Sequence, residues 1–204
     1  MKVFALCLAA ATFAVAAPQP DPATLKNGDI VFQTSRSGQS QAIQLATHSA
    51  YSHCGIVFFE KGKPYVFEAS TKVKSSPLAR FIKKGEGGKC VIKRLKAADS
   101  LLTPDNLKKM KLAGKAYDGK PYDSWFGWAD DRIYCSELVY KIYRDALGIG
   151  IGATAHLRDF DLTHPEVKRV MRLRYGDSIP MDEIVISPAA QFADTALATV
   201  FDNY

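Results

Sequence analysis

Three side chains in this sequence have the types and settings for thiol chemistry. Cys135 follows Asp130-Asp131-Arg132-Ile133-Tyr134 and opens an apolar repeat, Cys135, Leu138, Val139, Ile142 and Ala146, that ends at Gly148. That period is helical, so the thiol falls in the first turn of a helix over about 135–147. There the unpaired N–H groups and the positive end of the helix dipole favour thiolate over thiol. The same N–H groups suit an oxyanion formed beside the sulfur. A nucleophilic cysteine also needs a base, and a group that orients the base. Alone, a cysteine on an apolar stripe is as well explained by packing, so the partners decide.

His53 is the candidate base. It begins His53-Cys54-Gly55-Ile56-Val57-Phe58-Phe59, and Glu60-Lys61-Gly62-Lys63 separates that run from Tyr65-Val66-Phe67-Glu68-Ala69. β-Branched and aromatic runs around a Gly-containing turn predict a hairpin. With Lys61-Gly62 at its centre, Glu68 stands opposite Gly55, and His53 is its diagonal neighbour on the same face. Diagonal neighbours are roughly 7–8 Å apart, within reach of an imidazole and a Glu side chain. Gly55 is expected to leave the space between them open. A turn with an odd number of loop residues would put the two on opposite faces. A carboxylate in the middle of an apolar strand needs a partner in any case. The residues therefore suggest a Cys135–His53–Glu68 trio of nucleophile, base and orienter. Tyr51 and Tyr134 flank two of these positions and are candidate substrate-binding residues.

Other candidates are weaker. On a strand, Cys54 points away from its neighbour His53 and is not expected in a shared metal site. His48 and His53 lie five apart with no second Cys/His pair, so no metal site is assigned and no cofactor is expected. The segment from Gly85 to Cys90 has Lys83 where a phosphate loop needs its first glycine, and a cysteine in place of the Mg-binding hydroxyl. No Gly-x-Ser-x-Gly supports a serine hydrolase.

The elements that must position these groups fit in one domain, since the chain has 204 residues and neither repeats nor a Gly/Ser linker. Its N-terminus predicts a signal peptide over 1–17. Lys2 precedes an apolar run over 3–15, Ala14-Val15-Ala16 and Val15-Ala16-Ala17 are small-residue cleavage sites, and Pro18-Gln19-Pro20-Asp21-Pro22 follows. The run is too short to span a bilayer comfortably. Residues 18–204 would then be a single periplasmic or secreted domain. Cys7 leaves with the leader, so Cys54, Cys90 and Cys135 remain. In an oxidising compartment this odd number predicts a Cys54–Cys90 disulfide with Cys135 free. Loss of Lys2 takes the formal charge from +6 to +5. That balance does not imply nucleic acid. The basic stretches Lys83-Lys84, Lys89, Lys93-Arg94-Lys96, Lys168-Arg169, Arg172 and Arg174 are expected to be solvated faces, with an anionic envelope surface as the partner they would suit.

Strands are predicted at 30–33, 53–59, 65–69, 90–95 and 184–186, and a short helix around Ala42, Ile43, Leu45 and Ala46. Thr103-Pro104-Asp105 starts another helix, with Leu107, Met110, Ala113 and Tyr117 buried. Thr163-His164-Pro165-Glu166 reads as a capping box for a helix to about Arg174, and Ser187-Pro188 caps a small one. Helices and strands are segregated, which predicts an α+β fold with a small, mostly antiparallel sheet.

Several runs carry a family resemblance: Asn-Gly-Asp-Ile-Val-Phe-Gln (27–33), Ala-Ile-Gln-Leu-Ala-Thr-His (42–48), Tyr-Ser-His-Cys-Gly-Ile (51–56), Pro-Tyr-Val-Phe-Glu-Ala (64–69), Gly-Lys-Pro-Tyr-Asp (119–123), Asp-Asp-Arg-Ile-Tyr-Cys-Ser-Glu-Leu-Val (130–139), Arg-Tyr-Gly (174–176) and Ile-Val-Ile-Ser-Pro (184–188). In order and spacing they resemble the YiiX family of exported, circularly permuted papain-like cysteine amidases, relatives of the NlpC-type peptidases. The resemblance implies a permuted papain-like fold, with a sheet or partial barrel packed against helices. It also implies Cys135 as nucleophile, His53 as base and Glu68 as third member. A cysteine at position 54 is not a feature expected of that family. The activity so implied is cleavage of an amide bond in an envelope peptide or lipid-linked substrate. The alternatives are a lipid acyltransferase or thioesterase using the same cysteine, or an inactive envelope-binding module.

Overall fold

The computed structural model describes residues 17–204, so the leader read over 1–17, with its Cys7, lies outside the described residues but for Ala17. In chain order the elements are β1 (Ile30–Gln33), α1 (Ser40–Thr47), β2 (His53–Glu60), β3 (Lys63–Ala69), β4 (Val73–Pro77), α2 (Leu78–Lys84), β5 (Val91–Leu95), α3 (Ala98–Leu101), α4 (Pro104–Lys115), α5 (Cys135–Leu147), β6 (Ala155–His156), α6 (Pro165–Tyr175), β7 (Ile184–Val185), α7 (Pro188–Phe192) and β8 (Leu197–Asp202). Six strands form one sheet in the order β4-β3-β2-β1-β5-β8, every pair antiparallel, and β6 and β7 form a separate ribbon. The fold is α+β, as the segregated pattern predicts.

Both faces of the large sheet are covered, which explains why Ile30-Val31-Phe32 is apolar without alternation. Ile30, Phe32, Cys54 and Ile56 pack with Met110 of α4 and Leu138, Val139 and Ile142 of α5. Val31, Val57, Val66 and Ile92 pack with Leu78, Phe81 and Ile82 of α2. A third cluster joins Ala42 of α1, Val167 and Met171 of α6, and Val185 of β7. Under the sheet, Asp29 is wholly buried and holds Arg94 by Nε–Oδ1 and Nη2–Oδ2 contacts of 2.7 and 2.8 Å. Among the described residues no helix is long and apolar enough to cross a membrane.

The β2–β3 turn has the parity that the site requires. Lys61 and Gly62 both have positive φ, 49° and 77°. That is the two-residue hairpin turn whose twist matches its strands. Ile56 pairs with Phe67, Val57 with Val66 and Glu60 with Lys63. Carried one residue further, this register sets Glu68 across from Gly55.

Four sequence expectations are corrected. The space at Gly55 is not open: a Cβ there would lie 2.5 Å from a Val66 methyl and 2.8 Å from the Phe67 carbonyl. Cys54 and Cys90 are both free and buried. Cys54 and Val91 pair with Phe32 from opposite sides, so β1 lies between the two cysteines' strands, and they sit in different apolar clusters. Two strand spacings make roughly 10 Å, beyond the reach of a disulfide. Lys93 and Arg94 are not a solvated face: Lys93 is buried with Nζ on the Phe192 carbonyl, and Arg94 is bound by Asp29. The cap of α6 is His164, whose Nδ1 accepts from the Glu166 N–H at 3.1 Å, while the Thr163 hydroxyl turns to Asp161. Strands β4 and β8 and helix α2 had no sequence expectation.

Gly55→Ala forces a methyl between β2 and β3. It should destabilise the protein by about 1–3 kcal/mol, read from urea unfolding. Stability unchanged within error would mean that the two strands can separate there freely.

Candidate active site

Helix α5 is fixed at its first turn by charge as well as by packing. Tyr134 precedes it in extended conformation, and its N–H donates to Glu137 Oε2 at 3.3 Å. Glu137 is fully buried and pairs with Lys141 one turn on, at 2.7 Å. Lys141 also reaches Asp130 Oδ1 and the Trp128 carbonyl, tying the approach loop to the helix. Burial raises the Glu137 carboxyl to about 7 against the pull of Lys141. The Ser136 hydroxyl donates to the Ile186 carbonyl at 2.8 Å, and Gln191 of α7 donates Nε2 to the Ser136 carbonyl at 2.9 Å. Cys135 is therefore the first residue of an immobilised helix, 2% exposed.

His53 opens β2, paired with Gln33 of β1. Its Nε2 lies 2.8 Å from Glu68 Oε2, and the other carboxylate oxygen, Oε1, accepts from Ser76 Oγ at 2.7 Å. The Phe81 ring of α2 stacks on the imidazole at 5.3 Å and 21°. With Nε2 given to Glu68, Nδ1 is the nitrogen left for the Cys135 side.

Sulfur and imidazole favour each other's charged forms. Burial disfavours the imidazolium, but Cys135 and then Glu68 outweigh it and raise His53 to about 9. Cys135 is held well below an ordinary thiol, first by the Cys54 thiol beside it and, against burial, by the His53 imidazole. Cys54 moves the other way, raised well above its usual value by burial and by the neighbouring Cys135. Glu68 is lowered, because hydrogen bonds from His53 and Ser76 outweigh its burial.

The structure thus brings Cys135, His53 and Glu68 together. It treats the two tyrosines differently. Tyr134 is buried, lines an apolar pocket next to Cys135, and accepts the Ile186 N–H on its hydroxyl at 3.0 Å. Tyr51 stacks on Phe192 at 4.0 Å and meets Tyr204 edge-on, apart from the cavities that adjoin Cys135 and His53. Cys54 faces away from His53, as alternation requires, yet it belongs to the site because α5 packs on that face and brings Cys135 to it. Its thiol lies 3.3 Å from Gln191 Oε1.

Sequence reasoning missed the groups around the sulfur. The Tyr122 hydroxyl interacts with Cys135 and accepts Gln39 Nε2 at 2.8 Å. Gln39 in turn accepts Arg174 Nη2 at 2.8 Å, and that guanidinium lies over the Phe126 ring. Burial, then the Cys135 charge, raises the Tyr122 phenol well above its usual value. A bridge between Tyr122 and Ile133 sets this tyrosine beside the start of α5. The only signal in the sequence was its place in Gly-Lys-Pro-Tyr-Asp.

A thiol at a helix start, an imidazole at a strand start and an antiparallel sheet between helices describe a permuted papain-like protein. Residues 24–201 match the family described as "Permuted papain-like amidase enzyme, YaeF/YiiX, C92 family", and the chain belongs to it. It is 48% identical over 175 residues to the uncharacterized protein YiiX of Escherichia coli K12, covering 86% of this chain and 85% of that protein. It is also similar to the crystal structure of the metalloprotein yiiX from Escherichia coli O157:H7, with a TM-score of 0.84 and 47% identity over 88% of this chain and 98% of the other. Among the described residues of this chain, no group of three or more His, Cys, Asp or Glu side chains is placed to hold a metal ion.

Iodoacetamide should alkylate Cys135 before Cys54 and Cys90, and at pH values well below the roughly 8.5 of an ordinary thiol. His53→Ala and Cys54→Ala should each move the profile to higher pH, and Glu68→Gln should move it less. Mass-spectrometric labelling across pH checks this. A Cys135 profile that matches an unfolded-state thiol would refute the charge-stabilised sulfur.

Proposed function

We propose that the protein is an exported cysteine hydrolase that cleaves an amide bond through Cys135, His53 and Glu68. The observation that carries this reading is a thiol at the first position of α5, beside an imidazole that a buried carboxylate holds on its far nitrogen. The thiolate attacks the amide carbonyl carbon, forming the C–S bond and an oxyanion. The unpaired N–H groups of the first turn of α5 face that charge. The His53 imidazolium gives its proton to the amide nitrogen, the C–N bond breaks, and the amine leaves. Water then attacks the thioester while His53 takes its proton. The C–S bond breaks, the acid leaves, and the thiolate–imidazolium pair is restored. Glu68 keeps the imidazole in one tautomer and orientation throughout.

Export rests on the leader pattern over residues 1–17. The exposed Lys168 and Arg172 of α6 suit an anionic envelope surface.

Amide hydrolysis should rise with pH as Cys135 ionises and fall again near about 9, where His53 loses the proton it must donate. Cys135→Ala should abolish turnover, and His53→Ala should lower kcat by about 10²–10⁴-fold. Release of amine from acyl-amide substrates, followed across pH, checks both. Cys135→Ala turning over at the parent rate would end the proposal.

A further inference from the structure

We infer that Gln39 and Arg174 are positioning residues for the nucleophile: together they fix the direction of the Tyr122 hydroxyl, so that it donates its proton to Cys135. This concerns the same sulfur as the thiol-amidase reading above and rests on it.

The three residues come from separate parts of the chain. Gln39 stands at the start of α1, Arg174 lies in the last turn of α6, and Tyr122 lies between α4 and α5. Gln39 Nε2 is 2.8 Å from the Tyr122 hydroxyl, and Arg174 Nη2 is 2.8 Å from Gln39 Oε1. The start of α1 is anchored by other groups, through the 2.6 Å contact between the Ser40 and Ser52 hydroxyls. Gln39 occupies the capping position of this helix, yet its side chain makes no capping hydrogen bond. Ser, Thr, Asp and Asn are the residues favoured there. Helix stability therefore does not account for a glutamine at position 39, and its two side-chain contacts do.

Those contacts have a direction. A guanidinium has N–H donors and no acceptor. Arg174 therefore takes the carbonyl oxygen of the Gln39 amide and leaves the NH₂ group for Tyr122. The reverse orientation would set donor against donor at Arg174 and lose that hydrogen bond. The guanidinium is held in turn over the Phe126 ring, 4.6 Å from its centre. A phenol has a single proton to give. With Gln39 donating to the phenol oxygen, that proton has no acceptor on the α1 side, and the Cys135 sulfur is the partner that remains. An ionised sulfur accepts it in a charge-assisted bond. Burial and the sulfur's charge keep the phenol protonated, so the donor persists as pH rises.

The titratable groups that face Cys135 are His53 and Cys54 of β2, Tyr122, and Tyr134 next to it in the chain. Two of these have a partner behind them that sets their direction: Glu68 turns the imidazole, and Gln39 turns the phenol.

Iodoacetamide labelling of Cys135 across pH, read by mass spectrometry, tests this, because a directional role and a structural one order the variants differently. Gln39→Glu keeps the contact with Arg174 but makes position 39 an acceptor towards Tyr122, which draws the phenol proton away from the sulfur. The Cys135 profile should move up by about 1 pH unit, with the unfolding temperature unchanged or higher. Gln39→Met loses both hydrogen bonds but supplies no strong acceptor, so the profile should move less. Arg174→Glu forces the Gln39 amide to turn round and should act like Gln39→Glu. Arg174→Lys, which still only donates, should keep the parent profile. In Tyr122→Phe protein there is no phenol proton to redirect, and Gln39→Glu should move the profile much less. A larger shift for Gln39→Met than for Gln39→Glu overturns the inference and makes Gln39 structural. The full Gln39→Glu shift in Tyr122→Phe protein also overturns it, since charge alone would then be the cause. Either result beside alkylation that still depends on His53 leaves the amidase reading standing. Parent Cys135 alkylating like an ordinary thiol overturns that reading, and the inference with it.

Discussion

Glu68 places a carboxylate on a central strand with 1% of its surface exposed. Without partners such a group is strongly destabilising, or takes up a proton. Its partners come from the two strands on either side. His53 of β2 and Ser76 of β4 are both diagonal neighbours, given pairings of Ile56 with Phe67 on one side and Val66 with Ser76 on the other. A slip of one residue at either seam would turn a partner to the far face. The Lys61-Gly62 turn, the close approach of β3 at Gly55 and the position of β4 are thus parts of one constraint. The orientation of the imidazole follows from it.

The charges at the site balance only as a set. A thiolate, an imidazolium and a carboxylate leave one negative charge in a buried space. The start of α5 supplies the opposing dipole, and Cys54 and Tyr122 supply neutral donors. This explains why burial does not strip the proton from His53: the imidazolium lies between two anions. Cys54 has a single proton and two acceptors in reach, the Gln191 carbonyl at 3.3 Å and the Cys135 sulfur. A charged acceptor makes the stronger bond, so the ionised sulfur draws that proton more strongly than the amide does.

The parts of the site that repeat with a period were legible in the sequence. Alternation and a two-residue turn put His53 and Glu68 on one face, and the 3.6-residue stripe ending at Gly148 gave α5 its bounds, Cys135–Leu147. Groups that reach the site through tertiary packing had no such signal. Gln39, Ser76, Tyr122 and Gln191 lie in loops, in short elements or at element ends. Val-Lys-Ser-Ser-Pro is a poor strand sequence that becomes β4 by pairing along β3. The Cys54–Cys90 expectation failed for a related reason: counting thiols says nothing about strand order, and β1 lies between them. At Cys54 alternation gave the right direction, but not the helix that waits on that face.

The chemistry depends on one junction, where the start of α5 meets the start of β2. Packing makes that junction, through Leu138, Val139 and Ile142 against Cys54 and Ile56. No short covalent link makes it, since the chain runs from β2 through six further elements of the sheet and helix layers before α5 begins. The order of base, orienter and nucleophile along the chain is therefore free to vary, provided the sheet and the helix still dock. The same docking sets the polarity of the two cavities. On the Cys135 side the wall is the apolar layer of α1 and α6, and on the His53 side it is the end of the sheet, with its loops and cations.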